Sequence, residues 1–216
     1  MMYIFVGINV EKTLENIGRK VNEINDNLGY EHSTLPLHIS LKMSFEIGDG
    51  KVKNCIKILT NYFKKGKPFI VYPKGIENEN VIVWLRMNNN DQIDSVHLDL
   101  INIIEKQFSI APHEYDLDYK FHTTLFMSDD VDKNRKAYEM IKNCDFPKEI
   151  NADTIIIGTS QDGTIGTYCV YKEIQLKWVK YAHARRGLNY SKLVFLVSYP
   201  LQTSKKNVSY LLLKDI

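Results

Sequence analysis

Two short segments of the chain combine a histidine with a hydroxyl side chain two residues later. Residues 37–41 read LHISL and residues 121–125 read FHTTL. In an extended strand, alternate side chains point to the same face, roughly 7 Å apart. An imidazole beside a hydroxyl, presented twice, is suited to binding a phosphate group and moving protons on both sides of it. The two pairs that share a strand face in this way are His38 with Ser40, and His122 with Thr124.

A single His-x-Ser/Thr pattern carries little information, because His32 also fits it. His32 follows a charged residue and lies shortly before Pro36, where a continuous strand is disfavoured. The offset that leads from His38 to His122 leads from His32 to Asp116, so His32 has no counterpart in the second half of the chain. We therefore exclude His32 and treat His38 and His122 as a pair.

The periodicity of apolar residues predicts α+β structure around these two strands. Apolar residues at spacings of three and four indicate helices, and β-branched or alternating segments indicate strands. Within the first histidine strand, strict alternation predicts an apolar face and a polar face that includes Lys42. Helices are predicted at 11–28, 52–63, 91–108 and 131–142, and strands at 3–10, 35–45, 69–72, 81–85, 120–128, 154–157 and 165–171.

The predicted elements repeat at the distance that separates the two histidines. The same offset moves the strands at 69–72 and 81–85 close to those predicted at 154–157 and 165–171. This order indicates two lobes, each with a helix, a histidine strand, a helix and a hairpin, related by a pseudo-twofold axis. We expect residues 1–176 to form this two-lobed domain and residues 177–216 to form a C-terminal extension of unknown role.

Composition excludes several classes of protein. The chain has 216 residues, 44% of them hydrophobic, and a formal net charge of only +2, so bulk charge does not indicate a nucleic-acid coat protein. Three cysteines without CxxC spacing favour neither a disulfide framework nor a zinc site. No apolar run approaches the roughly 18 residues that a membrane-spanning helix needs, and the amino terminus lacks the pattern of a signal peptide. We expect a cytoplasmic protein without a membrane association or an obligate protein partner.

Other chemistries that use histidine or serine fit the sequence poorly. Zinc or iron would need a third ligand close to the histidines, and neither histidine strand carries a carboxylate on the same face. There is no Gly-x-Ser-x-Gly turn for a serine nucleophile and no Gly-rich phosphate loop followed by Lys-Ser/Thr. We therefore expect no metal and no other cofactor.

The two motifs resemble those of the 2H phosphoesterase superfamily, which includes 2′-5′ RNA ligase-like proteins and RNA 2′,3′-cyclic phosphodiesterases. The likeness covers about residues 3–176, and residues 35–41 are especially similar to the first motif of that family. The resemblance implies a bilobal α+β fold in which two antiparallel sheets face a central groove with helices outside. It also implies metal-independent phosphodiester chemistry, with His38 and His122 as catalytic residues and Ser40 and Thr124 as phosphate-binding residues.

Hydrolysis of a 2′,3′-cyclic phosphate or a 2′-5′ bond needs one proton removed from water and one delivered to the leaving ribose oxygen. Two imidazoles can perform these steps near neutral pH, and two hydroxyls can donate to the non-bridging oxygens. The residues do not assign the base, nor the choice among an RNA end, a 2′-5′ oligonucleotide and a cyclic nucleotide as substrate. An RNA- or nucleotide-binding module without catalysis is the alternative.

Five further residues are candidates for substrate binding around the groove. Two lysines close to the motifs could bind phosphate, and one aromatic residue could stack on a base. A tryptophan and a tyrosine at the same offset as the two histidines are candidates for equivalent positions on either side of the groove, although core packing would also suit them. These residues are Lys42, Lys120, Phe126, Trp84 and Tyr168.

Overall fold

A computed structural model describes residues 1–164 and 166–177, which form eight strands, four α-helices and a short 3-10 helix. The predicted α+β class is confirmed, and the helix predicted at 91–108 has the observed bounds. The strands are β1 (Met2–Asn9), β2 (His38–Ile47), β3 (Phe69–Glu79), β4 (Ile82–Asn88), β5 (His122–Met127), β6 (Ile150–Ala152), β7 (Thr154–Ser160) and β8 (Cys169–Gln175). The helices are α1 (Glu15–Leu28), α2 (Asp49–Phe63), α3 (Asp91–Phe108) and α4 (Val131–Ile141), and the 3-10 helix is Glu114–Asp116.

The strands form two four-stranded antiparallel sheets, in the orders β2-β1-β7-β8 and β5-β4-β3-β6. The two histidine strands, β2 and β5, therefore occupy equivalent edges, and they lie against each other. Apolar side chains from both sheets and from the helices form one large core. We call the opposite face, which carries the motif side chains, the groove face. Of the helices in the described residues, none combines the length and the apolar character needed to cross a membrane.

The chain crosses between the two sheets, which differs from the expected order of one complete lobe after the other. The β3–β4 hairpin follows the first histidine strand in sequence but pairs with the second one, through β4 and β5. Strand β7 pairs with β1 and so joins the sheet of the first histidine strand. Periodicity identifies the apolar face of a hairpin, but it does not identify the sheet that the hairpin joins. The predicted extension falls outside the described residues, apart from Lys177.

Both histidine strands contain a β-bulge directly after the hydroxyl residue of the motif. At this bulge the extra residue is Leu41 in β2 and Leu125 in β5, three positions after the motif histidine in each case, and β2 has a second irregularity between Lys42 and Phe45. A bulge reverses the alternation of side chains, so the next residue turns from the groove face toward the core. Lys42 and Phe126, which were expected on the groove face, are accordingly 2% exposed.

Lys42 is therefore corrected from a candidate phosphate ligand to a buried structural residue. Its Nζ lies 2.8 Å from the carboxylate of Asp116, whose side chain is completely buried. Asp116 also accepts hydrogen bonds from the backbone N–H groups of Met43 and His113. A buried charge is stable only when it is paired and hydrogen-bonded. The pair thus attaches the 3-10 helix to β2 beside the groove.

His97 of α3 supports the same bulge from the core side. Its Nδ1 donates to the carbonyl oxygen of Leu41 over 2.7 Å, and its ring stacks on Tyr119 with centroids 4.6 Å apart. The bulge therefore has a hydrogen-bond partner for a carbonyl that the strand ladder leaves open. A buried, hydrogen-bonded ring explains why this histidine has no part in the motif pair.

We predict that replacement of Asp116 destabilises the protein strongly. Asp116→Ala leaves the Lys42 ammonium buried without a partner, which should cost about 3–5 kcal/mol of unfolding free energy. Lys42→Met should cost less, about 1–3 kcal/mol, because the carboxylate keeps two backbone donors. Urea unfolding measures both values. Asp132→Ala, which removes an exposed ion pair with Arg135, is the control, and an equally small effect of Asp116→Ala would refute this role.

Candidate active site

The two motif histidines are the first residues of their strands and lie on the groove face. His38 begins β2 and His122 begins β5, and both side chains are partly buried. Because β2 and β5 are adjacent edge strands, the two imidazoles lie across the boundary between the sheets. Ser40 and Thr124 are also partly buried and follow on the same face. Two His/hydroxyl pairs are thus brought together from separate sheets.

Each imidazole is held by the same backbone hydrogen bond. Nδ1 of His38 lies 2.8 Å from the carbonyl oxygen of Pro36, and Nδ1 of His122 lies 2.6 Å from that of Lys120. A carbonyl oxygen can only accept, so Nδ1 is the protonated nitrogen in both rings. In a neutral ring, Nε2 then carries the lone pair, and this atom is available to a ligand in the groove.

An aromatic ring from the neighbouring strand packs against each imidazole. The ring centroids of Phe5 and His38 are 4.6 Å apart, and those of Trp84 and His122 are 4.5 Å apart. Gly7 makes the first contact possible, since a Cβ at this position would lie 2.6 Å from Cζ of Phe5. The aromatic contacts restrict the orientation of both imidazoles.

Tyr168 does not occupy a position equivalent to that of Trp84. In strand register, Trp84 pairs with Thr124 on one side of the groove, and Gly7 pairs with Ser40 on the other. Tyr168 precedes β8 and lies behind Phe5, with ring centroids 6.3 Å apart. The expected equivalence failed because β8 lies three strands away from the histidine strand β2, whereas β4 is the direct neighbour of the histidine strand β5.

Lys120 lies at the surface, whereas Phe126 lies in the core. The side chain of Lys120 is half exposed at the groove, and its Nζ lies 3.7 Å from Glu79, so it remains accessible to an anionic ligand. Phe126 is turned into the core by the bulge and packs against Tyr30, with ring centroids 5.2 Å apart. Stacking of Phe126 on a substrate base is therefore corrected to core packing.

Tyr119 adds a hydroxyl beside Ser40 that the sequence analysis missed. Burial raises the pKa of Tyr119, the nearby Ser40 side chain opposes this effect, and the charge of Asp116 adds to it. The phenol therefore stays protonated at neutral pH and can donate. Its oxygen is buried and close enough to the Ser40 side chain to interact with it, and it has no other hydrogen-bond partner among residues 1–164 and 166–177. A third hydroxyl donor is thus available near the motif.

Burial lowers the pKa of both motif imidazoles. For His122 the value falls to about 4, because the positive charges of Arg86 and His38 add to the effect of burial. The carbonyl bond to Lys120 and the charge of Glu79 work in the opposite direction. The influence of one imidazole on the other reflects their proximity. A bound phosphate anion would favour the protonated form and raise both pKa values again.

The sequence analysis also missed Arg86, which pairs directly with His122 in the strand register. The strand predicted at 81–85 ended three residues too early, since β4 continues to Asn88 and includes Arg86. A signal was present, because the buried residues Val83, Leu85 and Met87 alternate with Trp84 and Arg86 on the other face. Across the groove, the residue that pairs with His38 is Asn9, which is uncharged.

The described part of the chain contains no set of side chains that would ligate a metal ion. No group of three or more His, Cys, Asp or Glu side chains there is arranged to hold a metal ion. The groups at the groove are two imidazoles, three hydroxyls, the guanidinium of Arg86 and the ammonium of Lys120. These groups can donate and accept protons and can bind a phosphate.

A comparison with known protein families shows to which family the chain belongs. The model of the 2′-5′ RNA ligase superfamily matches residues 13–164, which include both histidine motifs. The chain belongs to this superfamily. The resemblance to 2H phosphoesterases is thereby confirmed, and membership supports an enzyme of the phosphodiesterase type. Among curated protein sequences, none matches this chain.

Several solved structures share the fold of this chain. E. coli LigT in its apo form is 14% identical, with a TM-score of 0.55 over 82% of this chain and 98% of LigT. The protein in a crystal structure of a phosphoesterase is 13% identical, with a TM-score of 0.54 over 82% of this chain and 99% of its own. TT0787 of Thermus thermophilus is 13% identical, with a TM-score of 0.54 over 81% of this chain and 97% of its own. The predicted two-sheet fold is confirmed.

We predict that NMR of the imidazole nitrogens will find Nδ1–H tautomers for both His38 and His122, and a pKa of about 4 for His122. The lowered pKa also predicts a stability change. Between pH 6.5 and about 4 the His122 imidazole binds a proton in the unfolded chain but not in the folded one. The free energy of unfolding therefore decreases as the pH falls.

Chemical denaturation across this pH range measures the free energy of unfolding, and His122→Gln should make this free energy depend less on pH. A pKa of His122 near its ordinary value, or an Nε2–H tautomer in either ring, would contradict the arrangement described for the groove.

Proposed function

We propose that the protein is a metal-independent phosphodiesterase that hydrolyses 2′,3′-cyclic phosphates or 2′-5′ phosphodiester bonds in RNA ends or small nucleotides. The observation that supports this most directly is the matched pair of imidazoles. Both rings donate from Nδ1 to a carbonyl two residues earlier and leave Nε2 for the groove. A single phosphorus between them would have a proton acceptor on one side and a proton donor on the other.

The reaction follows from these two atoms. A neutral imidazole takes a proton from water through Nε2 as the water oxygen attacks phosphorus. The P–O bond to the ribose breaks on the opposite side, and the leaving oxygen takes a proton from Nε2 of the other, protonated imidazole. Each proton transfer contributes roughly 10²–10⁴ in rate. Ser40 and Thr124 donate to the non-bridging oxygens, where negative charge increases in the transition state.

The charge distribution favours His122 as the base in the proposed reaction. Arg86 is the register partner of His122 and lowers its pKa, which keeps this ring neutral. The partner of His38 is Asn9, whose amide contacts the carboxylate of Glu173 at 3.5 Å. In this assignment His38 serves as the acid; burial lowers the pKa of its imidazole too, so the bound phosphate anion has to favour its protonated form.

Nucleotide substrates are supported by what related structures contain. E. coli LigT, which shares the fold, has been crystallised with 3′-AMP and with NADP+. In this chain Phe5 and Trp84 are buried and pack on the imidazoles, so they position the histidines. The suggestion of a small ribonucleotide or a single-stranded RNA end therefore rests on the LigT complexes and on the two imidazoles.

We predict turnover of a 2′,3′-cyclic nucleotide or a 2′-5′ dinucleotide in the presence of EDTA. His38→Ala and His122→Ala should each lower kcat by at least about 10²-fold, because each removes one proton transfer. His32→Ala is the matched control, since His32 fits the same short pattern but is exposed and bonded to Asp26.

Product analysis identifies the bond that is cut. Loss of turnover with EDTA, followed by recovery with a divalent metal, would contradict the metal-independent mechanism. Absence of turnover on both substrates, with nucleotide binding retained in both histidine variants, would favour the binding module instead.

A further inference from the structure

Arg86 presents a guanidinium group whose hydrogen-bonding capacity is almost unused. The side chain is only 12% exposed, and it lies over the indole of Trp84 with Cζ 4.9 Å from the ring centroid. Its Nε and Nη1 are buried and make no hydrogen bond to any residue that the structure describes, and the same holds for Nε1 of Trp84. Three buried N–H donors thus lie close together without an acceptor.

The nearest carboxylate compensates this charge only in part. Glu77 approaches Nε of Arg86 to 3.7 Å, which is beyond hydrogen-bond distance. The other oxygen of Glu77 accepts from Nζ of Lys74 at 3.1 Å. Burial of unpaired donors and of an incompletely paired cation is costly, so the arrangement suits an acceptor-rich anion that arrives as a ligand.

Arg86 lies beside His122 but on the neighbouring strand, outside the two strands that carry the motifs. The motif groups around the proposed phosphorus site form a symmetric set, with one imidazole, one carbonyl bond and one hydroxyl from each sheet, and Tyr119 adds a hydroxyl near Ser40. Arg86 breaks this symmetry, because it lies one strand farther out on β4 and its counterpart on β1 is Asn9. We therefore relate the two motif imidazoles to the reacting phosphorus and the single guanidinium of Arg86 to another part of the substrate.

We propose that Arg86 and Trp84 form a subsite for a second phosphate group of the substrate, beside the one that reacts. A planar guanidinium binds two phosphate oxygens at once, and the indole N–H can supply a third bond. Because these nitrogens are buried, binding in this proposal includes a rotation of the Arg86 side chain that opens them to the ligand. The preferred substrates are then nucleotides or oligonucleotide ends that carry a second phosphate next to the reacting one. This inference rests on the proposed function for the location of the reacting phosphate.

The test compares two ligands that differ only in the second phosphate, and it does not depend on turnover. Adenosine 2′-monophosphate and adenosine 2′,5′-bisphosphate are titrated calorimetrically into the wild type, Arg86→Gln, Arg86→Lys and Arg135→Gln. Arg135 lies on α4 in an exposed ion pair with Asp132, so its variant controls for the loss of one positive charge.

The wild type and Arg135→Gln should bind the bisphosphate on the order of 10–100-fold more tightly than the monophosphate. Arg86→Gln should remove most of this preference, and Arg86→Lys, which keeps the charge without the planar fork, should retain part of it. Arg86→Lys also remains informative if Arg86→Gln does not fold.

Equal affinity of the wild type for both ligands would overturn the inference. So would an equal loss for both ligands in Arg86→Gln, because that result would place Arg86 at the reacting phosphate. Turnover assays keep this test separate from the proposed function. A wild type that prefers the bisphosphate but hydrolyses no cyclic or 2′-5′ substrate would refute the enzyme and leave the subsite in place.

Discussion

One hydrogen bond, made twice, determines what the groove of this protein can do. Each motif imidazole donates from Nδ1 to the carbonyl two residues earlier, and this bond selects the tautomer and directs Nε2 into the groove. Without it, either ring could rotate or exchange tautomers, and the two nitrogens would not reliably face a common atom. Both bonds are made at the start of a strand, where the histidine is the first strand residue and the carbonyl belongs to the segment before it.

The rest of the structure maintains these two strand ends. Because of the bulge at Leu41, only His38 and Ser40 of the motif strand lie next to each other on the groove face. Lys42 points to the other side of β2, where it pairs with Asp116. Asp116 and His97 then hold the segment that contains Tyr119 beside the groove. On the other side, the bulge at Leu125 places Phe126 in the core. The same device thus serves both motifs, once with an ion pair and once with an aromatic contact.

The elements and the motif pair could be predicted from the sequence because they depend on local periodicity. The helix at 91–108 and the alternation up to Ser40 and Thr124 are of this kind. The bulges could not be predicted, because an extra residue in one strand is defined only against its partner strand. Lys42 and Phe126 were misplaced for that reason. The route of the β3–β4 hairpin between the sheets was missed because strand pairing is a tertiary choice.

The pH dependence of kcat/KM in EDTA tests the central claim most directly, because it reports the ionisation of the free enzyme. Two imidazoles with opposite roles predict a bell-shaped profile. Burial lowers the pKa of both rings, so the maximum should lie below pH 6.5. A rate that rises to a plateau at alkaline pH, without a falling limb, would mean that no protonated imidazole is needed. That result would contradict the two-histidine account.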